Sequence, residues 1–160
     1  MKTLLIAFLI STTTFANIPQ GSYLLDKIAC SVGNKTLKLG GKFMVYTITL
    51  DVFESKMRMT AIAKNRPWAP FKLDCVQQNY GDYSIISNDT YEGNLPLESV
   101  KCNSSLWEKI LRKNLFGVEE QSNFSYSYSD GKLVVQNPNS ITKYSCADNG
   151  GHAIYYYTKK

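Results

Sequence analysis

Residues 42–64 read KFMVYTITLDVFESKMRMTAIAK, and the alternation in this stretch decides the fold. Met44, Tyr46, Ile48, Leu50 and Val52 fall on one side of an extended chain, and Thr47, Thr49 and Asp51 on the other. After a turn near Glu54-Ser55 the period of two resumes, setting Met57, Met59, Ala61 and Ala63 against Lys56, Arg58, Thr60 and Lys64. The pattern predicts a hairpin with one apolar face. Its register is strongly specified, because a slip of one residue would bury Arg58 and Lys64 without partners.

The same alternation extends in both directions. Two prolines make residues 65–70 a loop, since proline cannot join a central ladder. Strands are expected over residues 71–78, 83–87 and 95–102, with turns at Gly81-Asp82 and at Glu92-Gly93-Asn94. Phe124, Tyr126 and Tyr128 form an aromatic face on the first arm of a second hairpin. Its turn, Asp130-Gly131, suits the positive φ angles of type I′ and leads into residues 132–136. Further strands are expected over residues 141–146 and 152–158. One segment departs from period two: Ser105 and Glu108 have capping-box spacing, and Leu106, Trp107, Ile110 and Leu111 recur at helical spacing up to Asn114. The expectation is an all-β protein, an antiparallel meander barrel of about eight to nine strands with one short helix, closed so that no long edge is left exposed.

The N-terminus has the order of a secretory leader. Lys2 supplies a positive charge, Leu4 to Ile10 an apolar core too short to span a bilayer, and Thr14 and Ala16 the small residues at the two positions a signal peptidase reads. Residues 1–16 are therefore expected to be a signal peptide and residues 17–160 one domain, secreted or periplasmic. No later stretch has the apolar length of a transmembrane helix. The four cysteines, Cys30, Cys75, Cys102 and Cys146, fit two disulfides in an exported chain, and three connectivities are open. With no C-x-x-C pair and with His152 the only histidine, a zinc site lacks its closely spaced ligands, and no metal is expected.

Charge excludes further classes. Lys and Arg number 18 against 13 Asp and Glu, a formal net charge of +5, but the basic residues are scattered and Lys109, Arg112 and Lys113 form the one tight group. That is a solvated helix face, not the stripe a nucleic-acid binder needs. No P-loop, G-x-G-x-x-G or H-E-x-x-H pattern occurs. His152 lies in a glycine-rich turn, Glu119-Glu120 and Asp74 with Asp82 carry no glycosidase motif, and neither catalysis nor a cofactor is expected.

Gly21-Ser22-Tyr23 opening the first strand, the eight- or nine-stranded meander and the widely separated cysteines resemble the calycin group, lipocalin-like secreted proteins in particular. Tyr23 stands at the tryptophan of the lipocalin G-x-W hallmark, and Lys159 or Lys160 at its basic residue near the last strand. The resemblance implies a cup that binds small apolar ligands. Met44, Tyr46, Ile48, Leu50, Met57, Met59, Tyr126 and Tyr128 are the residues expected to line it, methionine being adaptable and tyrosine carrying a polar tip. The alternative is a core filled by these side chains and a protein that binds from its surface. It would inhibit a secreted hydrolase or hold a carbohydrate, through loop aromatics such as Trp68, Tyr80 and Tyr91. The expected partner is accordingly a small apolar ligand or a secreted protein.

Overall fold

The 42–64 hairpin forms with the register its alternation dictates. In the computed structural model, which describes residues 17–33, 35–114, 118–136, 146 and 151–160, strand β3 (Met44–Val52) pairs antiparallel with β4 (Lys56–Asn65). Ile48 faces Ala61, Leu50 faces Met59 and Val52 faces Met57. The apolar set points inward, with Leu50, Val52, Met57 and Ala63 all buried.

The other strands are β1 (Gly21–Cys30), β2 (Thr36–Leu37), β5 (Asp74–Ser87), β6 (Thr90–Leu95), β7 (Leu97–Cys102), β8 (Val118–Ser129), β9 (Lys132–Gln136) and β10 (Ala153–Lys159). Hydrogen bonding runs β10-β9-β8-β6-β5-β4-β3-β1, and β1 pairs again with β10, so eight antiparallel strands close into a barrel. Two short strands are additional, β2 on β1 and β7 on β5. The fold class read from the sequence is the one observed. Closure removes the free edges an open sheet would present.

Two details differ from expectation. Gly81-Asp82 is not a turn: β5 runs straight through it. A Cβ on Gly81 would sit 1.7 Å from the Asn94 carbonyl oxygen, so the glycine is there to let the neighbouring backbone approach. The chain reverses instead at Asn88-Asp89, and β6 passes through Gly93, with Tyr83 opposite Gly93 and Ile85 opposite Tyr91. Pro96 then separates β6 from β7. The second hairpin is as expected: Asp130 (φ 50°) and Gly131 (φ 75°) take the positive angles of the turn, and Tyr128 faces Leu133.

Helix α1 (Ser105–Asn114) begins with a longer reach than a capping box, since the Glu108 carboxylate accepts the Cys102 backbone N–H at 2.9 Å, tying the helix to β7. Trp107 packs beside Phe71 while Leu106 is exposed. The side chains of Ile110, Leu111, Arg112 and Lys113, residues 141–145 of the strand expected over 141–146, and the leader at 1–16 lie outside the described residues. Among the described residues no helix is long and apolar enough to cross a membrane. Two disulfides form, Cys30–Cys146 and Cys75–Cys102.

Hydrophobic side chains gather in two clusters. The larger holds Tyr23, Leu25, Leu50, Val52, Met57 and Leu133, together with Ile18 from the segment preceding β1, which is 1% exposed. The Tyr23 hydroxyl donates to the Pro19 carbonyl at 2.5 Å and holds that segment against the barrel. The smaller cluster holds Ala63, Leu73 and Cys75 beside the second disulfide.

Candidate functional site

The inward face of β3 and β4 is not uniformly sealed. Leu50, Val52 and Met57 are 5%, 2% and 0% exposed, whereas Ile48, Met59 and Ala61, on the same face in mid-strand, keep partial contact with solvent. Ile48 and Met59 nevertheless pack against the larger core cluster. Across β5 the same row continues with Gln77 opposite Ala61 and Asn79 opposite Met59. Both amides are buried, at 6% and 0% exposure. Gln77 Nε2 donates to Asn79 Oδ1 at 2.6 Å, and Asn79 Nδ2 donates to the Leu95 carbonyl at 3.0 Å. On the inward face an apolar row from β3 and β4 therefore meets a hydrogen-bonded pair of amides from β5.

Of the eight expected lining residues, the structure brings six into one cluster. Leu50, Met57 and Tyr126 are buried in the larger core, and Ile48, Met59 and Tyr128 pack against it half-buried. Met44 and Tyr46 face inward as their parity requires, but they join the smaller cluster beside Phe71 and Trp107. Gln77 and Asn79 were not anticipated; their odd-numbered positions in step with Cys75 were the available signal.

The core is unusually rich in phenols. Tyr91 stacks on Phe124, with ring centroids 4.9 Å apart, and lies 6.0 Å from Tyr83 and 5.9 Å from Tyr126. It is 3% exposed and is not the surface aromatic the sequence suggested, because β6 turns its odd positions inward. Burial pushes the Tyr23 hydroxyl up to about 12, reinforced by Tyr128 and Tyr83. Burial likewise holds Tyr91 and Tyr157 well above the ordinary value, with Tyr157 acting on Tyr91 and Tyr155 on Tyr157. An unfolded chain releases these protons near pH 10, so the unfolded state gains from higher pH before the folded state does. The contribution of these phenols to stability should be constant below about pH 10 and fall above it, over the window up to about 12 set by Tyr23. Melting temperature against pH measures this, and a midpoint level through pH 11 would contradict the burial of these phenols.

His152 is held more firmly than a loop histidine. Its Nδ1 lies 3.2 Å from Ser31 Oγ and its Nε2 3.2 Å from Gln136 Oε1, and its backbone N–H donates to Ser31 Oγ at 2.9 Å. The third member is a neutral amide, which supplies no charge to stabilise an imidazolium as the carboxylate of a hydrolytic triad does. The trio ties the end of β1 to β9 and β10. Asp74 and Asp82 each sit beside a lysine, Lys64 at 3.8 Å and Lys56 at 3.5 Å, on the outer surface.

The loop aromatics divide. Tyr80 lies on the outside of β5 with Lys56 and Arg58 over its ring at 5.2 and 5.1 Å. Trp68 is 59% exposed at the end of the barrel where β4 passes to β5. Comparison of the chain with protein-family models and with curated proteins gives no match, so the geometry alone carries the functional reading.

Proposed function

We propose that this is a non-catalytic binding protein, exported and lipocalin-like, that carries a small apolar ligand inside its barrel. The observation that carries the reading is the partial accessibility of Ile48, Met59 and Ala61, inward-facing residues in the middle of two paired strands. Two others support it. The register pairs Tyr23 of β1 with Lys159 of β10, the two positions that the lipocalin resemblance names. The two disulfides fit an oxidising compartment.

The test is a titration of residues 17–160 with N-phenyl-1-naphthylamine, a neutral apolar fluorophore. Saturable uptake near one equivalent is expected, and Met59→Trp should abolish it in a protein that still folds, by filling the space beside Ala61. Absence of uptake by the parent protein would remove the carrier. A second reading, binding from the surface, is favoured by the exposure of Trp68 on a loop that Pro67 and Pro70 restrain.

A further inference from the structure

Trp68 does not stand alone. Together with Leu39 it lines a cleft of about 500 Å³ into which Lys38, Lys42 and Arg66 also project. Among the described residues no carboxylate lines this cleft. Among the described residues the ion pairs are Lys56–Asp82 and Lys64–Asp74, so none of the three cleft cations is neutralised by a neighbour. The Lys42 ammonium lies 5.4 Å over the Phe43 ring, and three cations lining one cleft favour an anion there.

The cleft is built, not a chance gap between mobile chains. The Trp68 ring rests on Phe43 (centroids 5.5 Å apart), Phe43 on Phe71 (6.0 Å) and Phe71 on Trp107 (5.6 Å), a continuous row of rings that fixes the indole while leaving it largely in solvent. The Arg66 N–H donates to the Phe43 carbonyl at 2.8 Å and joins the two loops, and the Ala69 N–H donates to the Arg66 carbonyl at 2.9 Å and closes the turn that presents Trp68. On the opposite wall Leu39 is anchored against the main core. Gly40 beside it has φ +116°, and a Cβ there would meet the Met44 carbonyl oxygen at 2.4 Å, so that stretch of wall is bare backbone by necessity.

We propose that this cleft binds an acidic saccharide, with the indole of Trp68 stacked on a sugar ring and Lys38, Lys42 and Arg66 holding the carboxylate or sulfate groups that ring and its neighbours carry. The proposal rests on the surface-binding reading and is independent of what the lumen holds. A concave site of this volume admits one or two rings, whereas a flat anionic membrane would engage the loop tips and not the cleft floor. One exposed ring, without a series of stacking platforms, suits a short saccharide better than a nucleic-acid strand.

Isothermal titration and tryptophan fluorescence with residues 17–160 test it, using tetragalacturonate, a heparin tetrasaccharide and neutral cellotetraose as probes. Saturable binding of at least one acidic saccharide is expected, with quenched fluorescence and an affinity that falls as salt rises, and the one that binds says whether carboxylate or sulfate is the group recognised. Trp68→Ala should abolish binding, and Lys38→Gln with Lys42→Gln should weaken it at least about ten-fold, while Lys56→Gln leaves it unchanged. Equal binding of cellotetraose would overturn the anionic assignment and leave surface binding standing. Binding to anionic phospholipid vesicles without binding to either acidic saccharide would overturn the ligand class, and no saturable binding to any probe would overturn both the site and the surface reading at Trp68.

Discussion

Replacing Cys30 and Cys146 together by serine should cost the folded protein about 4–5 kcal/mol, more than any single core truncation of average size. The bridge spans 116 residues of sequence, nearly the whole described chain, and the entropy released to the unfolded state grows with the logarithm of that span. Both sulfurs are buried, Cys30 at 5% and Cys146 at 2% exposure, so two buried thioether-like contacts go as well. Cys30 is also where β1 meets Ala153 of β10, the pairing that closes the barrel. The same replacement at Cys75 and Cys102 should cost about 3–4 kcal/mol. Its span is 27 residues, and these two cysteines already face each other in the β5–β7 ladder, where backbone hydrogen bonds hold them. Against a total stability of about 5–15 kcal/mol, the first change brings the protein close to unfolding and the second less so. Urea unfolding of the two double variants beside the parent measures both. A larger loss from the shorter bridge would contradict the closure of the barrel through β1 and β10.

Met57→Ala should cost about 2–5 kcal/mol, because its side chain is fully enclosed and nothing can collapse into the space it leaves. Ile48→Ala, on the same face four residue pairs along the ladder, should cost on the order of 1–2 kcal/mol, since part of that side chain already touches solvent and less transfer free energy is lost. Thermal or urea unfolding reads the difference. Equal losses at the two positions would mean the lumen is filled at Ile48, and the carrier would lose its main support.

The parity of residues 42–64 was legible because burying Arg58 or Lys64 is so unfavourable that only one register survives. The Asp130-Gly131 turn and the helix from Ser105 were legible from local chemistry, positive φ in one case and spacing in the other. Gly81 and Gly93 were misread as turns: glycine marks both a reversal and a close approach of backbones, and at Gly81 it is the Asn94 carbonyl that requires it, whereas Gly93 lies within β6 with ordinary contacts. That error carried Tyr91 to the surface, where a correct turn at Asn88-Asp89 would have placed it inside. Period two assigns a side chain to a face but not to a height along the barrel. Met44 and Tyr46 therefore had the right face and the wrong neighbours. The contacts of His152 with Ser31 and of Cys30 with Cys146 join residues more than a hundred positions apart, and no local pattern encodes them.

In the proposed carrier the lumen beside Ile48, Met59 and Ala61 is open to a small apolar molecule while the Met57 end is closed. Methyl-resolved NMR of residues 17–160 carrying isotope-labelled methionine, titrated with N-phenyl-1-naphthylamine, examines both halves in one experiment. The Met59 methyl is expected to shift and saturate with the probe while the Met57 methyl stays in place. No shift at Met59, or a shift at Met57 as large as that at Met59, would contradict it.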